Sequence, residues 1–506
     1  MGDYWRLAKF MVPLACTTIA TDIGEQALNR GVAFSENVTA SYGLAFSLTK
    51  FLGGSMQQTR HIGLILVQEP ADGRRAVALT AAMGLVVAVV HLLIGNGRSQ
   101  TADGRRAVAL TAAMGLVVAV VHLLIALTPL GYLLIERAHQ VDSVVGAGSR
   151  RAMLFLGAFP LLDGLAYVFI GMLLQYHHAL VVGASSIADV CVQVAVSLAL
   201  METALQTDDP LLIPILALYA AMAVRLAVIV AGFLYKVRPK IRQALPLADK
   251  ESFTVLRALK FWWPLALVTA VNRVSRPIVN LLVARDLAGS DAVEAVAVLT
   301  VTYPIGHLPY AWLNEMKSLA PAFRKSGQGR RVVPWRTLGK FSLICLLLVL
   351  TVSLVLFFVP GITFAIMTGW IQTSADIARL CRKPLQIFTF IAVPVSIRAY
   401  LTSWLMVQKR TWILTPSAVL RTVALVTALL VLPKFHIRGA DMGIAALLTG
   451  FLVEASVVAV GFIIVRRRLR NRARPPDGTT AEAEGASSED HDDVIRPMLV
   501  EKETAL

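Results

Sequence analysis

Long apolar runs, separated by short connections that carry the polar and charged residues, dominate the chain. A helix needs about 20 predominantly apolar residues to cross the hydrocarbon core of a bilayer. The pattern therefore predicts an all-α membrane protein with about twelve transmembrane helices. The predicted spans are 8–29, 40–58, 107–134, 152–174, 179–201 and 211–235 in the first half, and 261–284, 294–316, 339–366, 384–407, 412–433 and 440–465 in the second.

The composition supports this class, because the 506 residues are 56% hydrophobic and only 16% charged. A soluble domain of this size carries more charge. The spans leave little chain for a separate enzyme domain, and no Walker A, HExxH or GxSxG motif is present. The four cysteines lie far apart, without CxxC or Cys/His spacing. We therefore predict no enzymatic activity, no cofactor and no metal site.

The formal net charge of +16 comes from Lys and Arg in a few connections. They gather at 236–260, at 317–340 and directly after residue 465. With twelve spans these clusters share one side of the membrane, so the positive-inside rule predicts that both termini are cytoplasmic. The lipid bilayer explains these charges without nucleic acid as a partner. On the opposite side, Asn37-Val38-Thr39 forms a candidate glycosylation sequon.

An internal duplication complicates the topology. ADGRRAVALTAAMGLVVAVVHLLI occurs at 71–94 and again, without a difference, at 102–125. Such identity indicates either a very recent tandem duplication or a gene-model error. If both copies crossed the membrane, every later connection would change sides, against the positive-inside rule. We therefore expect the segment 71–101 to be surplus to the helix bundle.

The chain divides into four predicted regions. Residues 1–235 form an N-terminal six-helix lobe, 236–260 a basic cytoplasmic linker and 261–470 a C-terminal six-helix lobe. Residues 471–506 are rich in Pro, Ser, Gly and acids and are predicted to be a disordered cytoplasmic tail. Its last residues, Thr504-Ala505-Leu506, fit a short motif of the kind that scaffold proteins bind by the terminal carboxylate.

The two halves align as a parallel repeat in which the charges within spans change sign. Pro13-Leu14-Ala15 and Pro264-Leu265-Ala266 start the same spacing, followed by acids in the first half and by arginines in the second. Three further helix pairs show the inversion, one of them with base and acid exchanged. The corresponding residues are Asp22 and Arg273, Glu25 and Arg276, Asp163 and Arg398, Asp189 and Arg421, and Arg225 and Glu454. For Asp163 and Arg398 the spacing after the preceding proline differs by one residue.

An ionised side chain at the centre of a bilayer costs roughly 2.5–3.5 kcal/mol, so these groups must face a wet cavity or one another. One interpretation is that arginines bind a multivalent anion in a cleft between the lobes; the candidates are Arg273, Arg276, Arg398, Arg421 and Arg225. The other is that acids of one lobe pair with arginines of the other; the candidates are Asp22, Glu25, Asp163, Asp189 and Glu454. The two interpretations are compatible if an anionic substrate competes with the acids of one lobe for the arginines of the other. Lys50 and Arg60, beside the second span, are expected to extend to the cytoplasmic interface.

Proline and glycine cluster in the eighth span, in Tyr303-Pro304-Ile305-Gly306-His307-Leu308-Pro309-Tyr310. Pro304, Gly306 and Pro309 predict a broken helix, whose freed backbone groups need a cavity or a neighbouring helix. His307 lies at the centre of this segment. It is interpreted either as a hydrogen-bonded structural residue or as a proton relay.

Several strings resemble the progressive ankylosis protein family (ANKH), including GEQALNRG at 24–31, FWWPLAL at 261–267, SRPIVNL at 275–281, PLLIPIL at 210–216, TYPIGHLPY at 302–310 and PSAVLR at 416–421. The resemblance implies a multipass plasma-membrane protein, similar in architecture to two-lobed multidrug-and-toxin-extrusion (MATE) transporters of the MOP superfamily. It also implies export of pyrophosphate, ATP or citrate, which raises extracellular pyrophosphate and restrains tissue mineralisation. Two alternatives stay open. One is a regulator or scaffold that controls anion release by another protein, and the other is a cation or drug antiporter that uses the acids of the first half.

Overall fold

The computed structural model describes residues 2–30, 36–66, 102–137, 142–237, 239, 254–287, 290–323, 332–370 and 374–473. Helices dominate this part of the chain. In the first half the long helices are α1 (Gly2–Arg30), α2 (Glu36–Gly53), α3 (Ala102–Leu127), α4 (Ser143–Leu156), α5 (Phe159–Gln175), α6 (Ala179–Met201) and α7 (Leu212–Gly232). In the second they are α8 (Val255–Asp286), α9 (Ser290–His307), α10 (Trp335–Phe358), α11 (Arg382–Val407), α12 (Leu414–Val431) and α13 (Gly439–Ala473).

Short helical segments continue several of these helices. After α2 come a 3₁₀ turn, one α-helical turn and a π-helical turn; after α9 come a 3₁₀ segment and a last α-helical turn. Others continue α3, α7 and α10, precede α7 and α11, or flank α12. The bounds are Gly54–Gln58, Thr59–His61, Ile62–Leu66, Pro129–Gly131, Tyr132–Arg137, Leu205–Asp208, Phe233–Val237, Ala311–Ser318, Leu319–Phe323, Pro360–Ala365, Ile366–Trp370, Ala375–Leu380, Thr411–Ile413 and Leu432–Phe435.

A helix covers each of the twelve predicted spans, so the all-α membrane fold class is confirmed. Seven of the described helices, or eight when the bent pair α4 and α5 is taken as one span, are long and apolar enough to cross a bilayer by length and composition. The charge-bearing α1 and α8 are outside this set. The fourth span differs most from its prediction. It starts at Ser143 instead of residue 152 and bends by 41° before Phe159, because Pro160 removes a backbone donor there.

Helices of each half pack mainly on one another. In the first half α6 packs against α1 and α7, α2 against α4 and α3 against α5; in the second, α13 packs against α11 and α12, and α8 against α12. The halves meet where α1 contacts Ala311–Ser318 and where α8 contacts Gly54–Gln58. One buried apolar cluster runs through both halves, from Leu7 to Val465. Exposed leucines such as Leu347 and Leu348 give α10 an outer surface suited to lipid.

The second copy of the duplicated segment lies in a helix of the bundle. Residues 102–125 lie in α3, which packs against α5. The first copy, 71–94, lies outside the described residues, as do the tail from residue 474 and Thr504–Leu506 within it. The four-region division and the tail motif therefore stay predictions.

Candidate functional site

Arg398, Arg421 and Glu454 meet in the second half and form a cluster that we call the arginine triad. They come from α11, α12 and α13. Nη1 of Arg398 lies 2.9 Å from Oε1 of Glu454, and Nη1 of Arg421 lies 3.0 Å from Oε2. Glu454 is 1% exposed and Arg421 2%. Two guanidinium groups thus share one buried carboxylate, and the triad has a formal charge of +1.

Neutral groups complete the surroundings of this triad. Arg421 donates a hydrogen bond to the amide oxygen of Asn272, and Arg398 donates one to that of Asn314. The Phe451 ring lies beneath both guanidinium groups, its centroid 3.9 Å from Cζ of Arg421 and 5.8 Å from that of Arg398. Amide oxygens and an aromatic face stabilise the cations without neutralising them. The positive excess is therefore retained.

Asp163, Asp189 and Arg225 meet in the first half and form the acid triad. They come from α5, α6 and α7. Nη1 of Arg225 lies 3.7 Å from Oδ1 of Asp163, and Asp189 interacts electrostatically with the same arginine. Cζ of Arg225 lies 5.1 Å from the centroid of the Tyr167 ring. All three members of the triad are buried. Two carboxylates share one guanidinium group, and the formal charge is −1.

The two triads are charge-inverted copies of one arrangement. Each uses three helices in the same chain order, and the matched positions are those found by aligning the halves: Asp163 and Arg398, Asp189 and Arg421, Arg225 and Glu454. Burial requires each charge to meet an opposite one, and the structure provides the partner within the same half. The salt bridges among these six residues therefore lie within one half each, although Asp163 also interacts electrostatically with Arg273 of the other half.

The five arginines predicted to line the substrate pathway lie in three different environments. Arg276, Arg398 and Arg421 all interact electrostatically with Tyr310, three residues after the end of α9. Arg276 is exposed, and its Cζ lies 5.3 Å from the centroid of the Tyr303 ring. Arg273, one helical turn before Arg276, interacts instead with Asp163 of the first half. Arg225 belongs to the acid triad.

Asp22 of α1 and His307 at the end of α9 form a contact between the halves. Oδ2 of Asp22 lies 3.3 Å from Nδ1 of His307, and both side chains are part exposed. The His307 ring also packs edge-on to Tyr310, at 5.3 Å between centroids. The side chains of Glu25 and Asn37 lie outside the described set.

The chain changes helical form around His307. Pro304 and Gly306 lie inside α9, which ends at His307, and a turn that contains the buried Pro309 leads into the 3₁₀ segment Ala311–Ser318. A Cβ at Gly306 would lie 2.5 Å from Cγ of Phe388. Glycine is therefore needed for the close approach of α9 to α11.

Several residues of the site were not singled out from the sequence. Asn272 and Asn314 accept hydrogen bonds from the triad arginines, and Phe451 packs on both. An asparagine next to Arg273 in an apolar helix is a usable signal, because polar groups at membrane depth need partners. Phe451 carries no such signal. Among the residues that the structure describes, no group of three or more His, Cys, Asp or Glu is arranged to hold a metal ion.

The family model described as Progressive ankylosis protein (ANKH) matches residues 1–101 and 97–359. The chain therefore belongs to the progressive ankylosis protein family. The two matched segments overlap in the joint between the duplicated copies.

Three solved structures with the same fold are transporters. One is a MOP superfamily transporter from Pyrococcus furiosus, described as having a binding pocket of reverse polarity; it has a TM-score of 0.64 and 13% identity, with 93% of this chain and 97% of that chain covered. The eukaryotic MATE transporter AtDTX14 has a TM-score of 0.62 and 11% identity, with 92% and 98% covered. A multidrug resistance MATE transporter in an outward-facing conformation has a TM-score of 0.62 and 12% identity, with 92% and 96% covered. The fold is thus MATE/MOP-like, and neither the family nor the fold is that of an enzyme.

Proposed function

We propose that this member of the progressive ankylosis protein family exports small polyanions across the plasma membrane. The substrate is inorganic pyrophosphate, ATP or citrate. Exported pyrophosphate raises extracellular pyrophosphate directly, and exported ATP does so after cleavage outside the cell; the higher pyrophosphate restrains tissue mineralisation. A compact polyanion is the common chemistry of all three candidates.

The observation that carries this proposal is the excess positive charge of the arginine triad. Arg398 and Arg421 share the single carboxylate of Glu454, and the exposed Arg276 lies within electrostatic range of the same tyrosine as both. Guanidinium groups bind carboxylates and phosphates through paired, charge-assisted hydrogen bonds. Two or three of them around one tyrosine form a site for an anion with more than one negative charge.

The charge of the acid triad supports binding of the anion to the second half of the protein. Its formal charge of −1 repels an anion that enters between the halves, whereas the arginine triad attracts it. The substrate therefore docks against the second half. Arg273 of α8 and Lys50 of α2 both interact electrostatically with Asp163 and reduce that repulsion.

The proposed orientation places both termini in the cytoplasm. Arg466, Arg467, Arg468 and Arg470 are exposed at the end of α13, directly after its apolar stretch. Arginines at that position favour the cytoplasmic face, where anionic lipids are enriched. A tag at either terminus that is reached by antibody only after permeabilisation of the cell supports this orientation.

Efflux from liposomes that contain the purified protein tests the function. Labelled citrate, ATP and pyrophosphate are loaded separately, and Arg398→Ala and Arg421→Ala are measured beside the wild type. Arg379→Ala is the matched control, because Arg379 has a side chain that is 75% exposed. We expect efflux of at least one anion by the wild type and the control, and a loss of about tenfold or more in the triad variants. Thermal unfolding of each variant separates lost binding from lost folding.

Failure of the purified protein to move any of the three anions would reject the exporter. If cells that express it still accumulated extracellular pyrophosphate, the protein would be a regulator of another release route. The acid triad favours one further candidate, a cation antiporter, since a buried −1 cluster is suited to a cation. Uptake of a labelled organic cation that is driven by a proton or sodium gradient, and lost in Asp189→Asn, distinguishes this activity.

A further inference from the structure

A bidentate ion pair joins the two halves away from both triads. Nη1 of Arg60 lies 2.7 Å from Oε2 of Glu315, and Nη2 lies 3.0 Å from Oε1. Arg60 belongs to the helical turn after α2, and Glu315 to the 3₁₀ segment after α9. The side chains are 11% and 13% exposed. The Arg60 side chain is therefore buried in an ion pair between the halves, whereas the sequence favoured an extended side chain at the cytoplasmic interface.

Positive charge is also in excess around this pair. Lys317 interacts electrostatically with Arg60, with Glu315 and with Arg398. Arg398 in turn donates to Asn314, the neighbour of Glu315 in the chain. The carboxylate of Glu315 thus interacts with two basic side chains, Arg60 and Lys317, and Arg398 lies close to Lys317.

Two side chains in this region have nitrogen atoms without a hydrogen-bond partner among the described residues. Within the described part of the chain, the buried Nε of Arg60 has no hydrogen-bond partner, and neither ring nitrogen of the buried His61 has one. Buried donors without acceptors cost free energy. A ligand with several anionic oxygens satisfies more of these donors than the single carboxylate of Glu315.

The pair belongs to a layer of contacts that closes the halves at the end where α1 begins. Phe323 packs edge-on to Phe10 at 5.3 Å and to His177 at 4.5 Å between ring centroids. Trp262 Nε1 donates to the carbonyl oxygen of Ser55 at 3.2 Å. In the orientation proposed above, this end faces the cytoplasm.

We propose that Glu315 is a resident mimic of the substrate anion and that its pairing with Arg60 locks this inner closure. A cytosolic polyanion displaces the Glu315 carboxylate from Arg60 and binds Arg60 in its place, which breaks the ion pair between the two halves. Opening without a replacement anion breaks the Arg60–Glu315 pair and forms no new one, which is unfavourable. Opening is therefore linked to the presence of substrate. The identity of the displacing anion rests on the proposed function, whereas the lock itself does not.

The lock is tested by a distance between the halves that does not depend on transport. Spin labels are placed at Tyr235, after α7, and at Leu343, early in α10, because both side chains are exposed. Four backgrounds are compared in lipid nanodiscs: wild type, Glu315→Gln, Arg60→Glu, and the exchange of Arg60→Glu with Glu315→Arg. Glu202→Gln is the matched control, since Glu202 is an exposed acid in the connection after α6.

We expect one short distance in the wild type, in the control and in the exchanged pair, and a longer population in both single variants without added anion. Citrate or pyrophosphate is expected to produce the longer population in the wild type, and to bind Glu315→Gln about three- to tenfold more tightly, since no resident carboxylate competes. Unchanged distances in Glu315→Gln, or no recovery in the exchanged pair, overturn the lock. If the single variants open but neither anion opens the wild type or binds Glu315→Gln more tightly, the substrate-mimic role is rejected. If the distances change as expected but the wild-type protein shows no efflux of any of the three anions, the proposed function is rejected and the Arg60–Glu315 lock is still supported.

Discussion

Arg398 and Arg421 share one carboxylate, each guanidinium group lying within 3.0 Å of a different oxygen of Glu454. This arrangement concentrates two positive charges on one buried acid. It is matched in the other half by two acids, Asp163 and Asp189, that share Arg225. The acid triad and the arginine triad thus share one arrangement with opposite charges. The arginine triad, which has the extra positive charge, is the one suited to bind an anion.

Removal of the shared carboxylate is expected to be costly. Glu454→Gln leaves two buried guanidinium groups without a counter-ion, so we expect a loss of about 3–5 kcal/mol in the free energy of unfolding. Added pyrophosphate or citrate is expected to restore part of the loss, because it supplies the missing negative charge. Thermal unfolding with and without each anion measures both effects. Equal stability of Glu454→Gln and wild type would contradict the assigned pairing.

The acid triad is expected to tolerate one substitution better than two. Asp163→Asn leaves Asp189 as a counter-ion for Arg225, and Asp189→Asn leaves Asp163. The double variant leaves none, so its destabilisation should exceed the sum of the single effects by about 1–2 kcal/mol. A double-mutant cycle of thermal or denaturant unfolding measures this coupling. Additive effects would show that the two acids do not act on the same arginine.

Gly306→Ala is expected to disturb the packing of α9 on α11. The added methyl group would lie 2.5 Å from Cγ of Phe388, and we expect a loss of about 1–3 kcal/mol in stability. Gly361→Ala is the matched control, because no atom lies within 4 Å of the corresponding Cβ. Combination with Phe388→Leu should recover part of the loss. Failure of this smaller side chain to help would place the strain elsewhere.

Arg276→Ala is expected to affect substrate binding more than folding. The Arg276 side chain is exposed and contacts the face of Tyr303, whereas the triad arginines are tied to Glu454. We expect an unchanged unfolding temperature and a KM for the exported anion that rises by about tenfold, with a smaller change in kcat. Liposome efflux at varied internal anion concentration separates the two constants. A fall in kcat at constant KM would assign Arg276 to a conformational step instead.

The amino-acid sequence determined the class of this protein and its spans, through the length of its apolar runs, and the charge inversion, through the alignment of its halves. Apolar length and the cost of buried charge are local properties, and they are readable at each position. The same reasoning identified Asp163, Asp189, Arg225, Arg398, Arg421 and Glu454 before any contact was known.

Only the tertiary structure decided which charges meet. Each of these buried groups needs an opposite charge nearby, but any helix can supply it. The sequence is therefore equally compatible with ion pairs within each half and with ion pairs between the halves. Helix packing brings α11, α12 and α13 together and thus places Arg398 and Arg421 on Glu454. It also turns Arg60 inward onto Glu315, where the sequence alone favoured the membrane interface. Which charged residues form an ion pair depends on the relative positions of helices that are distant in sequence. These positions cannot be read from a local sequence pattern.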